Sequence, residues 1–589
     1  MLQKVEPIPS LAPLAAISST WRHAVERLLF EEIIITDADL GNFMAIFAAN
    51  QSHRRRFLRH LNFKVILPES KAAQPYFEKR SERKANDKFA TKAVWVLFNI
   101  LDTWKATPGP WFQLSVGIPQ PKSKLHYPYS YVSIEDAQNL PELPFVRELC
   151  MSSSGDRSAN TIEFDEFYRS LHPTTVFSLT EKIPSQAAVY WYYDLPGPWH
   201  ALRRQFRTAT IEALQKVQLS PAVRKLDFCA VDMANHEIPH HQQLPDLVHP
   251  HQQDPLCSTL HRFVDKHNIR EFRMAGQVGP SLFWPYREKE KATPFWQAME
   301  FLEVEYCLEA ANGRWYFKPS RRYLKRHPPP SEEPLPDDSD EHMPPGYGTA
   351  NDTARALRFQ ESLYRENIDD EEDEDEGAHK FRRVPNDAMV TPLLTSFARA
   401  ISQMPLLKLA RIWNSLDCYG WDFTLEYRAP GFQHNIPQHT SCDAKSQDLS
   451  KPRVVFDASD YTSWKPSDQV LEILRNVSIE SHGVKAEICG WWGEPEDDGG
   501  DDEGDWDSEE FESSDEEGGS SDEEGGSSDE EGGSSDEEGG SSDEEGGSGN
   551  EEDVEIYTTH LPWWVGCPIE DSGDEEEEEE SDEGSEWTP

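Results

Sequence analysis

Apolar residues recur along the first part of the chain at steps that switch between helical and extended periods. Leu14, Ile17, Trp21, Val25 and Leu28 fall three or four residues apart, which puts them on one face and predicts an amphipathic helix over residues 11–30. Pro13 suits the first turn of that helix, where a missing N–H costs nothing. A second, short helix is predicted from Asp37 to Ala49, with Leu40, Phe43, Met44 and Phe47 as its stripe. Leu61, Phe63, Val65 and Leu67 then follow the two-residue period of a strand. Residues 69–90 are polar and basic and read as a loop. Ala93 to Trp104 reads as a buried helix, followed by a strand through Phe112, Leu114, Val116 and Ile118.

The helix-then-strand unit returns further on. A helix from Leu260 to His267 precedes a strand from Ile269 to Met274, and Phe295 to Met299 precedes Leu302 to Tyr306. A helix from Leu393 to Met404 precedes a strand running from Pro405 to Trp413, and a further strand is predicted at Leu226 to Ala230. Short strands of this type, each after a helix, suggest stacked units with a row of parallel strands. The spacing is irregular, with 43 residues from Leu226 to Ile269 and 33 from Ile269 to Leu302. Regular leucine-rich repeats run about 20–29 residues. The pattern fits a degenerate, insertion-laden repeat, and it also fits an α/β domain with no repeat.

Two segments interrupt or end the periodic body. Residues 327–380 contain Pro328 to Pro330, Pro344 and Pro345, and an unbroken acidic run from Asp369 to Glu376. Such a composition cannot bury enough apolar surface to offset its ordering entropy, so residues 327–383 are expected to be a disordered insertion. The second segment is the C-terminal tail, and charge separates it from the rest. The whole chain has 107 acidic and 57 basic residues. Residues 491–589 hold 43 of the acidic ones and no Lys or Arg, leaving 64 acidic against 57 basic in the preceding 490 residues. The body is therefore nearly balanced and the tail is a polyanion. From Ser513 to Gly547 the unit Ser-Ser-Asp-Glu-Glu-Gly-Gly repeats five times. The seven-residue period has no apolar seam, which excludes a coiled coil. An apolar island, residues 554–569 with Tyr557, Trp563 and Trp564, interrupts the acid. It is expected either to dock on a partner or to fold back beside residues 486–492.

The eight cysteines are widely spread with no C-x-x-C pair, which argues against a zinc ribbon or a secreted disulfide scaffold and for a reducing, intracellular compartment, cytoplasm or nucleus. No apolar run approaches the roughly 18–20 residues that span a bilayer, so no membrane association is expected. Lys4, Leu11 to Ile17 and Ala15–Ala16 form only a weak signal-peptide pattern, because the apolar spacing continues through Trp21 and Val25. His236, Glu237 and His240 match the H-E-x-x-H pattern of zinc proteases, which needs both histidines one helical turn apart. Pro239 breaks that helix, so a His-rich surface loop is expected, with no metal, cofactor or catalytic residue. Basic clusters at 53–59 and 79–84 invite a nucleic-acid or nuclear-import reading, but the polyanionic tail opposes phosphate binding. Within the repeat, Ser513, Ser514, Ser520, Ser521, Ser527, Ser528, Ser534, Ser535, Ser541 and Ser542 each have an acidic residue three positions on. That context suits acid-directed serine kinases, each phosphate adding about −1.5 to −2 charges. A tract that serves solubility alone is the other reading.

Leu11 to Ser19, the pair Trp21–Arg22, Glu26, and Leu29–Phe30 resemble the second half of an F-box as it occurs in many filamentous-fungal proteins. Phe283 to Pro285, Phe301 to Glu305, Met404 to Leu409, and Ser463 to Glu472 resemble the uncharacterised domain that follows such segments. The resemblance covers most of residues 11–492. It implies a subunit that recruits substrates to a cullin-based ubiquitin ligase, with the F-box helices on a Skp1-type adaptor and a downstream repeat domain on the substrate. Leu14, Ile17, Trp21 and Val25 would then be F-box core or adaptor-facing positions. The chain departs from the pattern in one respect. A full F-box opens with Leu-Pro-x-Glu and a first helix upstream of this point, and only Met1 to Ser10 stand there.

The expected organisation is a partial F-box-like segment (1–50) and an irregular leucine-rich-like α/β body (51–326 and 384–493). The insertion (327–383) divides the body, and an acidic tail (494–589) follows it. The expected function is non-enzymatic substrate recognition for a ubiquitin ligase. The competing expectation is an acidic-tail scaffold or chaperone that binds basic proteins such as histones.

Overall fold

A computed structural model describes residues 16–68, 80–105, 111–120, 131–151, 167–194, 200–231, 244–285, 296–319, 324, 382–415, 422–432, 449–458 and 464–491. Over these residues the chain is a mixed α/β protein built on one twelve-stranded sheet. Its strands, in chain order, begin with β1 (Glu32–Thr36), β2 (His60–Lys64), β3 (Phe112–Gly117), β4 (Pro119–Gln120), β5 (Val146–Met151), β6 (Phe167–Tyr168), β7 (Ala188–Asp194) and β8 (Lys225–Val231). They continue with β9 (Glu271–Gly276), β10 (Phe301–Tyr306), β11 (Phe317–Pro319), β12 (Arg382–Pro385), β13 (Leu409–Ser415), β14 (Asp422–Arg428), β15 (Arg453–Ala458) and β16 (Glu487–Trp491). The sheet order is β1-β2-β3-β5-β7-β8-β9-β10-β13-β14-β15-β16, so each strand lies beside its predecessor in the chain. Pairing is parallel from β1 to β13, antiparallel for β13–β14 and β14–β15, and parallel again for β15–β16. Because the order never reverses, the sheet lacks the switch-point crevice where doubly wound sheets bind their ligands.

Consecutive parallel neighbours joined by right-handed crossovers place their helices on one face of a sheet. The contacts here show this. The helices are α1 (Ser19–Glu31), α2 (Leu40–Ile46), α3 (Arg80–Asp102), α4 (Pro173–Glu181), α5 (His200–Lys216), α6 (Pro255–Lys266), α7 (Asp387–Ile401), α8 (Asp468–Asn476) and α9 (Ile479–His482). Trp191 on β7 meets Phe177 of α4 edge-on at 4.3 Å and lies 5.9 Å from Phe263 of α6, while Tyr193 meets Phe206 of α5 at 5.0 Å. Trp104, just beyond α3, lies 6.2 Å from Phe112 on the same side of β3. Beneath the helices an apolar row crosses all twelve strands in register. It runs Ile33, Leu61, Leu114, Leu149, Val189, Leu226, Phe272, Leu302, Ala410, Tyr427, Val454 and Ile488. Every member except the two at the edges, Ile33 and Ile488, is buried in a single continuous core. Each such side chain removes about 1.5–3 kcal/mol worth of apolar surface from water.

Local signals set the helix ends. Asp254 caps α6 by accepting from Leu256 and Cys257 N–H, and Pro255 occupies the first helical position. Asn386 caps α7 and Ser467 caps α8 in the same way. Ser18 accepts from Trp21 N–H at 3.2 Å and caps α1, which starts at Ser19, eight residues later than the apolar spacing predicts. That later start isolates the predicted stripe. Val25 is buried, but Ile17, Trp21 and Leu28 are exposed, so the described members of the stripe do not form a core face; Leu14 lies outside the described residues. Residues 80–90 are the first half of α3 instead of a loop, and residues 296–299 form a turn where a helix was expected. Trp296 has a positive φ of 53° there, which no helix continues through.

The strand β12 begins at Arg382, two residues inside the segment expected to be disordered. It pairs antiparallel with β11, Phe317 opposite Pro385 and Lys318 opposite Val384. The described residues that flank the insertion, 317–319 and 382–385, are therefore held side by side; residues 327–381, the 513–547 serine repeat and the 554–569 island lie outside the described residues, as does the His236–His240 loop. This ribbon yields an expectation. Replacing residues 324–378 by a six-residue Gly/Ser linker closes the same ribbon through a loop roughly fivefold shorter. Loop-closure entropy then favours the folded state by about 1.4 kcal/mol. Thermal unfolding should move up or stay in place, and a fall of several degrees would show that the insertion belongs to the core.

Candidate functional site

Among the described residues the second face of the sheet carries no helix, and its side chains form a second register row. The row runs Ile34, Asn62, Ser115, Cys150, Tyr190, Asp227, Arg273, Glu303, Arg411, Glu426, Val455 and Cys489. From β8 to β14 its charges alternate strictly: Asp227, Arg273, Glu303, Arg411, Glu426. Opposite charges on facing strands stabilise a pair by about 0.2–1 kcal/mol, and like charges would cost as much. Arg273 donates to Glu303 at 3.2 Å, and Lys225 lies 4.0 Å from Glu271 and over the Tyr190 ring at 5.3 Å. Glu426 pairs with Arg428, and Arg411 lies over Trp413 at 4.7 Å. Exposure varies over this face. Ile34 is exposed, Tyr190, Tyr192, Lys225, Glu271, Arg273 and Glu303 are half-buried, and Cys150, Glu426, Val455 and Arg453 are buried. At its centre Asp227 is only 2% exposed and accepts a hydrogen bond from Tyr192 Oη at 3.1 Å. Burial pushes its carboxyl up to about 6, against the opposing pull of Arg273, Lys225 and the Tyr192 hydroxyl.

The N-terminal elements present a different surface. The outward positions of α1 and its approach are Ile17 (61% exposed), Trp21 (48%), Leu28 (68%) and Leu29 (49%), against 3% for Val25. The helix is held from its other side. Glu26, nearly buried, lies 3.2 Å from His53 Nε2 and 2.9 Å from Arg54. Burial acts to raise the Glu26 carboxyl, but the hydrogen bonds and charges of Arg54 and His53 outweigh it and hold the group below its ordinary value. Arg54 also lies over Phe30, Arg55 donates to the Phe47 carbonyl at 2.7 and 2.9 Å and lies over Trp104, and Arg56 lies over Phe57. The 53–56 cluster, which the sequence offers as a surface patch, is thus a clamp that fastens α1 to the body.

A third cluster sits at the carboxyl ends of β8 to β10, on the helix side. His200, Arg203 and Arg207 share one buried face of α5, and the two arginines meet Glu309 and Asp254. Arg207 pairs with Asp254, Arg203 lies 4.0 Å from Glu309, and Gln277 donates to Glu309 at 3.2 Å. Burial raises the Glu309 carboxyl, with Arg203 opposing. Gly276, at φ 146°, lets β9 turn into this cluster; a Cβ there would lie 2.6 Å from the Ala230 carbonyl oxygen. The adjacent cavity, between Phe206, Arg207, Leu256 and Gln277, measures about 10 Å³, the space of a single water. Cys257 and Cys307 nearby have thiols pushed up by burial, which keeps them protonated and unreactive. Among the described residues the arrangement packs polar groups around a cavity of that size. Among the described residues no group of three His, Cys, Asp or Glu side chains is placed to hold a metal ion.

Neither a protein-family model, nor a curated protein, nor a solved structure matches the chain. The functional reading therefore rests on geometry. Of the adaptor-facing residues named from the sequence, Ile17 and Trp21 are exposed together, Val25 turns inward, and Leu14 lies outside the described residues. The charge row and the α5 cluster were missed. Their signal was present as polar residues alternating with apolar ones in Lys225–Val231, Glu271–Gly276 and Phe301–Tyr306. No helix of the described residues is long and apolar enough to cross a membrane.

Proposed function

We propose that the chain is a non-enzymatic recognition subunit of irregular leucine-rich-like architecture, joined through its N-terminal helix to a Skp1-type adaptor of a cullin-based ubiquitin ligase. The observation that carries this reading is the two-sided α1. Its inner side is fastened by Glu26, His53 and Arg54, while Ile17, Trp21, Leu28 and Leu29 remain in water. Apolar side chains grouped on a rigidly held helix mark an association surface. Sequential strand order and one-sided helices support the repeat-like body, since stacked strand–helix units produce both. A protein substrate would meet the half-exposed part of the helix-free face, around Tyr190, Tyr192, Lys225, Glu271 and Arg273.

The test is titration of the purified chain with a purified Skp1-type adaptor. Binding is expected, and Trp21→Ala with Leu28→Ala should weaken it at least tenfold while leaving thermal stability unchanged, because neither side chain is packed. Absence of binding by the unaltered chain sinks the reading. The charge asymmetry favours one second reading, a scaffold for basic proteins. Salt-sensitive histone binding that disappears on deleting 494–553, together with no adaptor binding, would support it.

A further inference from the structure

The helix α3 begins among residues that the apolar pattern does not explain. Arg80, Lys84, Lys88 and Lys92 stand at strict four-residue steps, and all four are exposed. Each step advances about 6 Å along the helix and drifts about 40° around it, so the four cations form one continuous ridge about 18 Å long. Like charges at this spacing destabilise a helix by about 0.2–0.5 kcal/mol per pair. Among the described residues none of the four has a carboxylate partner, although the chain supplies partners to Arg54, Arg207, Arg270, Arg273 and Lys408. The next position on the same line is Val96, an exposed valine on an otherwise buried stretch of helix. The other side of α3 is fixed. Asp87 accepts from Ser133 N–H at 2.8 Å, Thr91 accepts from Glu135 N–H at 2.9 Å, and Ala90, Ala93, Val94 and Leu97 enter the core. The ridge is therefore held from its other side, faces outward and, among the described residues, meets no carboxylate.

We propose that this ridge is a docking site for an acidic helix of a partner protein, one that carries carboxylates at four-residue steps and ends in an apolar residue over Val96. Two helices with that spacing share the same 6 Å rise, so successive Glu side chains of the partner meet successive cations when their four-residue ridges run together. The chemistry selects a helix over a nucleic acid. No exposed aromatic ring stands on the ridge to stack a base, and Val96 gives the ridge an apolar end that has no counterpart in a sugar–phosphate chain. The site lies apart from α1, so its test is independent of adaptor binding.

The experiment is fluorescence anisotropy with the full chain and a labelled Ala/Gln helical peptide bearing Glu at every fourth position and a terminal Leu. Binding is expected, weakening steeply between low and physiological salt. The same peptide with Gln for Glu should not bind. The variant K84Q/K88Q/K92Q should bind at least tenfold more weakly at a melting temperature that is unchanged or slightly raised, because it also removes the repulsion along the helix, and V96D should also weaken binding. No binding of the Glu peptide, or equal binding of the Gln peptide, overturns the proposal. So does tighter binding of duplex DNA or of phosphatidylserine vesicles that the same lysine substitutions abolish.

Discussion

Replacing Asp254 by Ala is expected to lower the stability of the body by about 4–6 kcal/mol, the sum of two losses at one carboxylate. The first is the buried pair with Arg207. Both partners are 7% exposed, and removing one leaves the other charged and unsolvated, at a cost of about 3–5 kcal/mol. The second is the helix cap. Asp254 Oδ1 accepts from Leu256 N–H at 2.9 Å and Cys257 N–H at 3.4 Å, and losing a capping side chain costs about 1 kcal/mol. Asp254→Asn separates the two, because an amide oxygen still caps α6 while the guanidinium loses its counter-charge. It should destabilise less than D254A. Pairing D254N with Arg207→Met removes the stranded charge and should recover most of the loss. The readout is the urea midpoint at constant slope. A loss below about 1 kcal/mol for D254A would show that the pair is solvated. Failure of R207M to rescue D254N would show that Arg207 serves another partner in the α5 cluster.

The same cluster explains why that part of the fold was hard to read from the sequence. In α5 the core face carries His200, Arg203 and Arg207 among Leu202, Phe206 and Leu214, so its hydrophobic stripe is broken by residues that satisfy one another only in three dimensions. In β7 the run Tyr190 to Tyr193 is aromatic on both faces and shows no alternation, because tyrosines fill the helix-free side where other strands place charges. The start of α3 was missed for the opposite reason, since its first turns bury almost nothing and announce themselves only as basic residues. By contrast β2, β3, β8, β9, β10 and β13 were legible, because each alternates a core row with a polar row. The parallel run from β1 to β13 was legible from the helix between successive strands, but the reversal after it was not. Parallel and antiparallel strands share the two-residue period, so nothing in β14 or β15 alone says that they run against β13. The outward side of α1 was visible as apolar spacing. Its clamp was not, since Glu26 and Arg54 are 28 positions apart.

Asp227 carries the clearest pH dependence. Its carboxyl is pushed up to about 6 in the folded chain, mainly by burial, against 3.8 for the ordinary group. Between those values the folded state holds a proton that the unfolded state has released, so stability falls as pH rises from about 4 through about 6 and is level above. The charged form at neutral pH is therefore a cost. At 1.36 kcal/mol per unit it amounts to about 3 kcal/mol. Asp227→Asn keeps an acceptor for the Tyr192 hydroxyl, and Arg273 keeps Glu303 as its partner at 3.2 Å. The variant should accordingly be more stable than the unaltered chain at pH 7.5, by up to about 3 kcal/mol, and equal to it at pH 4. Comparing the two chains across that range cancels every other titrating group. A constant difference at all pH values would mean that Asp227 keeps its ordinary carboxyl. A loss of stability at pH 7.5 would mean that its attraction to Arg273 and Lys225 exceeds the penalty of burial, and that the alternating row holds the sheet together at its centre. A gain would give the row a different meaning, because a natural chain that keeps a destabilising carboxylate among half-exposed tyrosines and cations has reason to offer that surface to a partner.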